Sequence, residues 1–135
     1  MYKGRYINGK PSGYGEYYWF NGSYFKGNFV NGLRDGKGFW KRGVGNSDTY
    51  EGSYRNDKKW GYGIFNWASG NIYKGNYEAD SRNGYGEMYW TNGSYYKGNW
   101  MNGIQHGEGS NNFIQVSFFY LLKALKKVYS ITTKS

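Results

Sequence analysis

One short motif returns through most of this chain at a nearly constant interval, and that interval limits the fold more than any other feature. Aromatic-charged-Gly occurs as Tyr2-Lys3-Gly4, Phe25-Lys26-Gly27, Tyr50-Glu51-Gly52, Tyr73-Lys74-Gly75 and Tyr96-Lys97-Gly98, with offsets of 23, 25, 23 and 23 residues. The two extra residues fall in the loop around Arg42, Gly43, Val44 and Gly45. Position three is always Gly, and position five is always aromatic: Tyr6, Phe29, Tyr54, Tyr77 and Trp100. A Gly-x-Gly pair follows each time, as Gly13 with Gly15, Gly36 with Gly38, Gly61 with Gly63, Gly84 with Gly86, and Gly107 with Gly109. Another large aromatic comes four residues later in four copies (Trp19, Trp67, Trp90, Phe113), while Trp40 stands two residues earlier in its own. Self-similarity at such a period makes each repeat one supersecondary unit stacked on its neighbours.

The unit reads as a β-hairpin. Asn-Gly tolerates the positive φ pair of a type I′ turn, and it recurs as Asn8-Gly9, Asn21-Gly22, Asn31-Gly32, Asn92-Gly93 and Asn102-Gly103, with Ser69-Gly70 in an equivalent slot. Asn56-Asp57 and Ala79-Asp80 replace the pair elsewhere, so those two turns are expected to differ in shape. Segments rich in aromatics between the turns favour strands. The expected fold is therefore all-β: an elongated single-layer antiparallel meander of about ten strands. Alternation places Tyr2, Gly4 and Tyr6 on one face, with Gly13, Gly15, Tyr17 and Trp19. Rings are expected to lie flat over neighbouring glycines where no Cβ obstructs them, and the fifteen patterned glycines read as structural positions that imply close packing or strong curvature. Residues 1–112 hold only seven Leu, Ile and Val, too few for a two-layer aliphatic core.

Tyr-x-Gly-x-aromatic-x-Asn-Gly-x-x-x-Gly-x-Gly at a 23-residue period closely resembles the MORN repeat (membrane occupation and recognition nexus), in five copies over residues 1–109. The repeats divide as 2–24, 25–49, 50–72, 73–95 and 96–112. The resemblance implies a twisted hairpin array with no catalytic activity and no cofactor. It implies a scaffold for other proteins in cytoskeletal, ciliary or flagellar assemblies, or at membrane junctions, where phospholipid binding is proposed for the family. The family's His before Gly-x-Gly survives only as His106; Ser12, Asp35, Trp60 and Asn83 take the matching positions, which points to a turn-stabilising role.

Composition narrows the chemistry. There is no Cys, which excludes disulfides, cysteine metal sites and thiol nucleophiles, and one His, which excludes a histidine metal cluster. No phosphate-binding loop or zincin motif is present. The N-terminus lacks the apolar stretch of a secretory signal, so a cytoplasmic location is expected. The net charge of +9 favours acidic partners. Lys3, Lys26, Lys74 and Lys97 fill one repeat position, interrupted by Glu51, and form the candidate binding row for a flat anionic surface. Nucleic acid is the less favoured anion, because the rings are committed to the glycine face.

Beyond Asn112 glycine stops. Ile114, Phe118, Leu121, Leu122, Leu125, Val128 and Tyr129 fall on one stripe at helical period, with Lys123, Lys126 and Lys127 opposite. Residues 113–135 therefore read as a basic amphipathic helical tail, expected to cover the edge of the last hairpin. An exposed first strand, or this tail, also offers a route to a homodimer. The leading functional expectation is a non-enzymatic protein-binding scaffold; the alternative is a peripheral adaptor for anionic membranes.

Overall fold

The computed structural model describes residues 1–111; the expected tail helix over 113–135, with its lysines, lies outside the described residues. Ten strands make one antiparallel sheet: β1 (Tyr2–Ile7), β2 (Lys10–Tyr18), β3 (Tyr24–Val30), β4 (Leu33–Lys41), β5 (Thr49–Arg55), β6 (Lys58–Asn66), β7 (Ile72–Glu78), β8 (Ser81–Tyr89), β9 (Tyr95–Met101) and β10 (Ile104–Asn111). Their spatial order is their chain order, so the sheet is a meander of hairpins in a single layer, as the repeat requires.

The buried core is a ladder of rings. Among the described residues, Phe25, Phe29, Tyr50, Tyr54, Tyr73, Tyr77, Tyr96 and Trp100, with Met88, are the buried apolar ones. Nine edge-to-face contacts join ten rings in an unbroken zigzag that runs Tyr6, Tyr2, Phe29, Phe25, Tyr54, Tyr50, Tyr77, Tyr73, Trp100, Tyr96. Centroids lie 5.0–5.6 Å apart and planes cross at 77–90°. Each such contact contributes roughly 0.5–1.5 kcal/mol beyond burial. Contacts within a repeat alternate with contacts between repeats, so the same interaction holds the hairpin and its junction.

The fifteen patterned glycines divide into two kinds. Those at position three and at the second place of Gly-x-Gly form the floor under a ring. Across the ladder Gly4 pairs with Gly15, Gly27 with Gly38, Gly52 with Gly63, Gly75 with Gly86, and Gly98 with Gly109. Tyr2 covers the first pair, and Phe25, Tyr50, Tyr73 and Tyr96 cover the others, so that a Cβ on Gly38, Gly63 or Gly109 would strike the ring above it. A Cβ on Gly75 would sit 2.7 Å from Tyr73 Oη and 2.8 Å from the Tyr85 carbonyl oxygen, and closer still to the Gly86 Cα. The first glycine of each pair (Gly13, Gly36, Gly61, Gly84, Gly107) serves the backbone instead. Gly84 has φ +89°, in a bulge where β8 spends residues 83–85 opposite Asn76 alone. The bulge leaves the Asn76 carbonyl without its strand partner, and the Tyr73 phenol donates to it at 2.7 Å. Tyr2, Tyr50 and Tyr96 donate to Arg5, Ser53 and Asn99 carbonyls in the same way.

Turn chemistry departs from expectation in two respects. The turns at Asn21-Gly22, Ser69-Gly70 and Asn92-Gly93 are not type I′, since only their glycines have positive φ. Gly22 N–H donates to the Trp19 carbonyl and Trp19 N–H to that of Ser23, which makes a β-turn closed by a left-handed glycine. The Asn21 side chain, held by the Ser23 N–H at 3.0 Å, is used locally rather than in a left-handed backbone. Conversely, Asn56-Asp57 (φ 48° and 70°) and Ala79-Asp80 (48° and 71°) match the shape of Asn8-Gly9 (51° and 75°). Bonds to the preceding repeat, described below, hold the aspartates there.

Two outcomes follow from this architecture. Gly75→Val lowers thermal stability by about 1–3 kcal/mol through overpacking against backbone that has no room to give, whereas Gly43→Ala, with open space around it, leaves the melt unchanged. Gly45 has equally open space, but its φ of +68° strains any β-branched replacement. The second outcome concerns alkali. Burial pushes the Tyr73 phenol up to about 12, and those of Tyr50, Tyr54 and Tyr77 higher still, from the ordinary 10.0. Such groups favour the neutral folded form below pH 10 and lose that contribution as pH rises through the folded values. Loss of the β-sheet circular dichroism signal should therefore begin between about pH 10 and 12 and track tyrosinate absorbance.

Candidate functional site

The two faces of the sheet carry different chemistry. On the face that holds the ring ladder, position ten of successive repeats is Pro11, Arg34, Lys59, Arg82 and Gln105. The three cations lie over the rings. The Arg34 guanidinium carbon is 4.9 Å from the Tyr54 centroid and 5.7 Å from that of Phe25; Arg82 is 4.8 Å from Trp100 and 5.9 Å from Tyr73. Lys59 Nζ lies 5.6 Å from Tyr77 and 5.7 Å from Tyr50. Aromatic faces attract cations at these distances.

Each cation belongs to a junction between repeats. The tip of every following hairpin bonds back to the same strand position: Gly32 N–H to the Pro11 carbonyl (3.0 Å), Asp57 to Arg34 (2.8 Å), Asp80 to Lys59 (3.0 Å) and Gly103 to Arg82 (2.9 Å). Where the turn residue is Asp, its carboxylate adds an ion pair, Arg34 Nε to Asp57 Oδ1 at 2.6 Å and Lys59 Nζ to Asp80 Oδ1 at 3.5 Å. Asp80 also accepts the Lys59 backbone N–H at 2.8 Å. Where it is Gly103, Arg82 Nη2 donates to the carbonyl at 2.8 Å instead.

Beside this row stand Trp19, Trp40, Phe65, Trp67 and Trp90, partly exposed and packed against the core. The two rows bound a trough. One stretch, about 560 Å³, is lined by Trp19, Arg34, Trp40, Tyr54, Lys59 and Phe65, with Arg42 and Asp48 from the two-residue insertion. The next is lined by Lys59, Phe65, Trp67, Tyr77, Asp80 and Arg82. A third, about 570 Å³, runs from Arg82 past Trp90 and Trp100 to Ile104 and Gln105. Neighbouring stretches share walls, Lys59 and Phe65 between the first two and Arg82 between the last two, so they follow one another across the sheet. Asp48 holds the insertion in place, pairing with Arg42 at 3.3 Å and accepting the Ala68 N–H at 2.8 Å.

The opposite face carries the lysines expected to bind. Lys3, Lys26, Lys74 and Lys97 do share it, but strand register sets carboxylates between them. The ladder reads Lys3, Glu16, Lys26, Phe39, Glu51, Ile64, Lys74, Glu87, Lys97. Four lysines and three glutamates leave a net +1 along it. Lys26 lies 3.7 Å from Glu16. Glu87 accepts the phenols of Tyr89 and, at 3.1 Å, Tyr85; with Lys97 and Lys74 nearby, these bonds hold its carboxyl below the usual range. The Tyr89 phenol is pushed up to about 12 by the same bond. Lys123, Lys126 and Lys127 lie outside the described residues. Position eleven serves the turns in part: Asp35 accepts the Asn56 N–H at 3.1 Å and Trp60 packs under Arg55, while His106 is exposed.

Arg34, Lys59 and Arg82 are the residues that sequence reasoning missed. Their signal was present, since they stand two and four residues before the Gly-x-Gly pair and share its face. A family model, the MORN repeat, matches residues 2–24, 25–47, 50–72, 73–95 and 96–110. No individual curated protein matches the chain.

The junction can be tested by substitution. Asp57→Gly keeps the left-handed turn and removes the carboxylate, and costs on the order of 1 kcal/mol in chemical denaturation. Asp57→Val costs more, because it loses the pair and strains φ as well.

Proposed function

The chain belongs to the MORN repeat family, and from that premise we propose that it is a non-enzymatic scaffold that binds another protein along the trough on its ring face, in a cytoplasmic, cytoskeletal or ciliary assembly. The trough carries the reading. Protein interfaces concentrate their energy in Trp, Tyr and Arg and are depleted of Lys and Glu. The ring face offers half-buried indoles in the first four repeats, with the guanidinium groups of Arg34 and Arg82 beside them. The ladder on the other face offers mostly Lys and Glu, with Phe39 and Ile64 between them.

The membrane reading gains less support from the same geometry. A flat anionic surface would meet Glu16, Glu51 and Glu87 set among the four lysines, with Lys41, Arg55 and Lys58 elsewhere on that face, and lipid attraction scales with the number of basic groups near the surface. That reading then leans on the basic tail.

Two variants of the full chain separate the readings. Trp67→Ala with Trp90→Ala alters the trough; Lys3, Lys26, Lys74 and Lys97 all changed to Gln alters the opposite face. Proteins captured from the native source should be lost at least about tenfold on the first variant and kept on the second, as expected when buried aromatic anchors dominate. Vesicles rich in phosphatidylserine should bind both variants and the parent equally weakly. Capture lost only with the lysine variant would move the function to the opposite face.

A further inference from the structure

Which shape of chain fits the trough follows from the spacing of the repeats, an argument that rests on the trough reading above. A ligand along the trough crosses the strands and cannot extend the sheet's own ladder, so side chains must recognise it. Neighbouring repeats are two strands apart, so the column that holds Trp19, Arg42, Trp67 and Trp90, near the ends of β2, β4, β6 and β8, recurs at about 9.6 Å, with Trp40 two residues earlier on β4. Three residues of polyproline II helix rise about 9.3 Å and return to the same side of the helix. Three residues of β-strand rise about 10 Å but end on the opposite side. An α-helix returns to its starting side after seven residues, at about 10.5 Å. Over the three steps from β2 to β8 the polyproline chain falls about 1 Å short, and the α-helix overshoots by about 3 Å. Only the first error is small enough to leave ring contacts in register.

Hydrogen bonding agrees. Trp100 donates its indole N–H to the Gly86 carbonyl at 3.1 Å, but those of Trp19, Trp40 and Trp67 donate to no described residue. A polyproline II backbone has no internal hydrogen bonds and leaves its carbonyls open to such donors. Charge supplies a direction along the trough. Arg34 and Lys59 each face a turn carboxylate, whereas the guanidinium of Arg82, among the described residues, donates only to the Gly103 carbonyl. It can still take a carboxylate from outside.

We propose that the trough binds a proline-rich segment in polyproline II conformation, one residue triplet per repeat, with an acidic side chain of the ligand against Arg82.

Synthetic peptides of four Ala-Leu-Pro triplets test this, carrying Asp-Asp at one end, at the other end, or at neither. They are titrated into the full chain and followed by indole fluorescence and peptide anisotropy. One of the acidic peptides should bind about tenfold more tightly than the neutral one, a difference of about 1.4 kcal/mol. A peptide of the same composition with prolines spaced at two and four residues should bind at least about tenfold more weakly. Arg82→Gln should erase the preference for acid. Trp67→Phe keeps the ring, removes the donor, and should weaken binding several-fold with an unchanged thermal melt. The proposal is overturned if the respaced peptide binds equally well, or if Arg82→Gln leaves the acidic preference intact. Failure of every triplet peptide, with capture of the native partner still dependent on Trp67 and Trp90, rejects the polyproline ligand and leaves the trough reading standing. Capture independent of those tryptophans rejects the trough itself.

Discussion

A ring lying over two glycines is the contact on which the rest of this sheet depends. A single layer has no second sheet to bury against, so its core must be made from its own face. Tyr73 achieves this by folding down over Gly75 and Gly86, where a methyl group would collide with phenol and backbone alike. Laid flat, the ring meets Tyr77 and Trp100 at nearly right angles, and the next hairpin repeats the geometry. Stability is then nearest-neighbour in character, as in other repeat arrays. The buried surface is aromatic because seven aliphatic residues could not have supplied it.

The bulge completes that contact. Spending three residues against one frees a carbonyl on the first strand, and in four of the five repeats a tyrosine phenol closes the gap. Phe25 takes the position in the remaining repeat, over Gly27 and Gly38, and relies on packing alone. Buried phenols that donate to backbone carbonyls satisfy their polar ends without water, which is the condition for placing tyrosine in a core. At Tyr50 and Tyr73 the same burial raises the pKa, so packing, hydrogen bonding and resistance to alkali share one cause there.

Repeat junctions set the electrostatics of the ring face. Asp57 and Asp80 occupy left-handed turn positions that glycine fills elsewhere, and their bonds to Arg34 and Lys59 offset the strain. In doing so they neutralise two of the three cations at position ten. Gly103 adopts its turn without such help and brings no carboxylate, which leaves Arg82 chemically distinct from the cations before it. A choice of turn residue thus decides where along the array a charged ligand group can be held.

Much of this was legible in the residues. The 23-residue period, the invariant glycines and the scarcity of aliphatics determined a meander of hairpins with rings packed on glycine, because each is a local requirement of backbone and side-chain geometry. The division of labour within Gly-x-Gly was not legible, since Gly61 and Gly63 carry the same letter while only the bulge separates a left-handed backbone from a floor beneath Tyr50. Turn shape was legible only in part. Asn-Gly at Asn21-Gly22 carries the same two letters as at Asn8-Gly9, yet strand length around it closes a different turn, and Asp80 matches a glycine only because Lys59 of the previous repeat is there to bond it. The lysine row shows the same limit. A position-by-position reading lines up Lys3, Lys26, Lys74 and Lys97, but cross-strand register inserts Glu16 and Glu87 from the alternate strands. The trough likewise needs three-dimensional placement, since Trp40, Lys59 and Trp67 become neighbours through strand pairing rather than through spacing in the chain. Local conformation is encoded residue by residue; the field and shape of a surface belong to pairs of strands, and only the assembled sheet decides them.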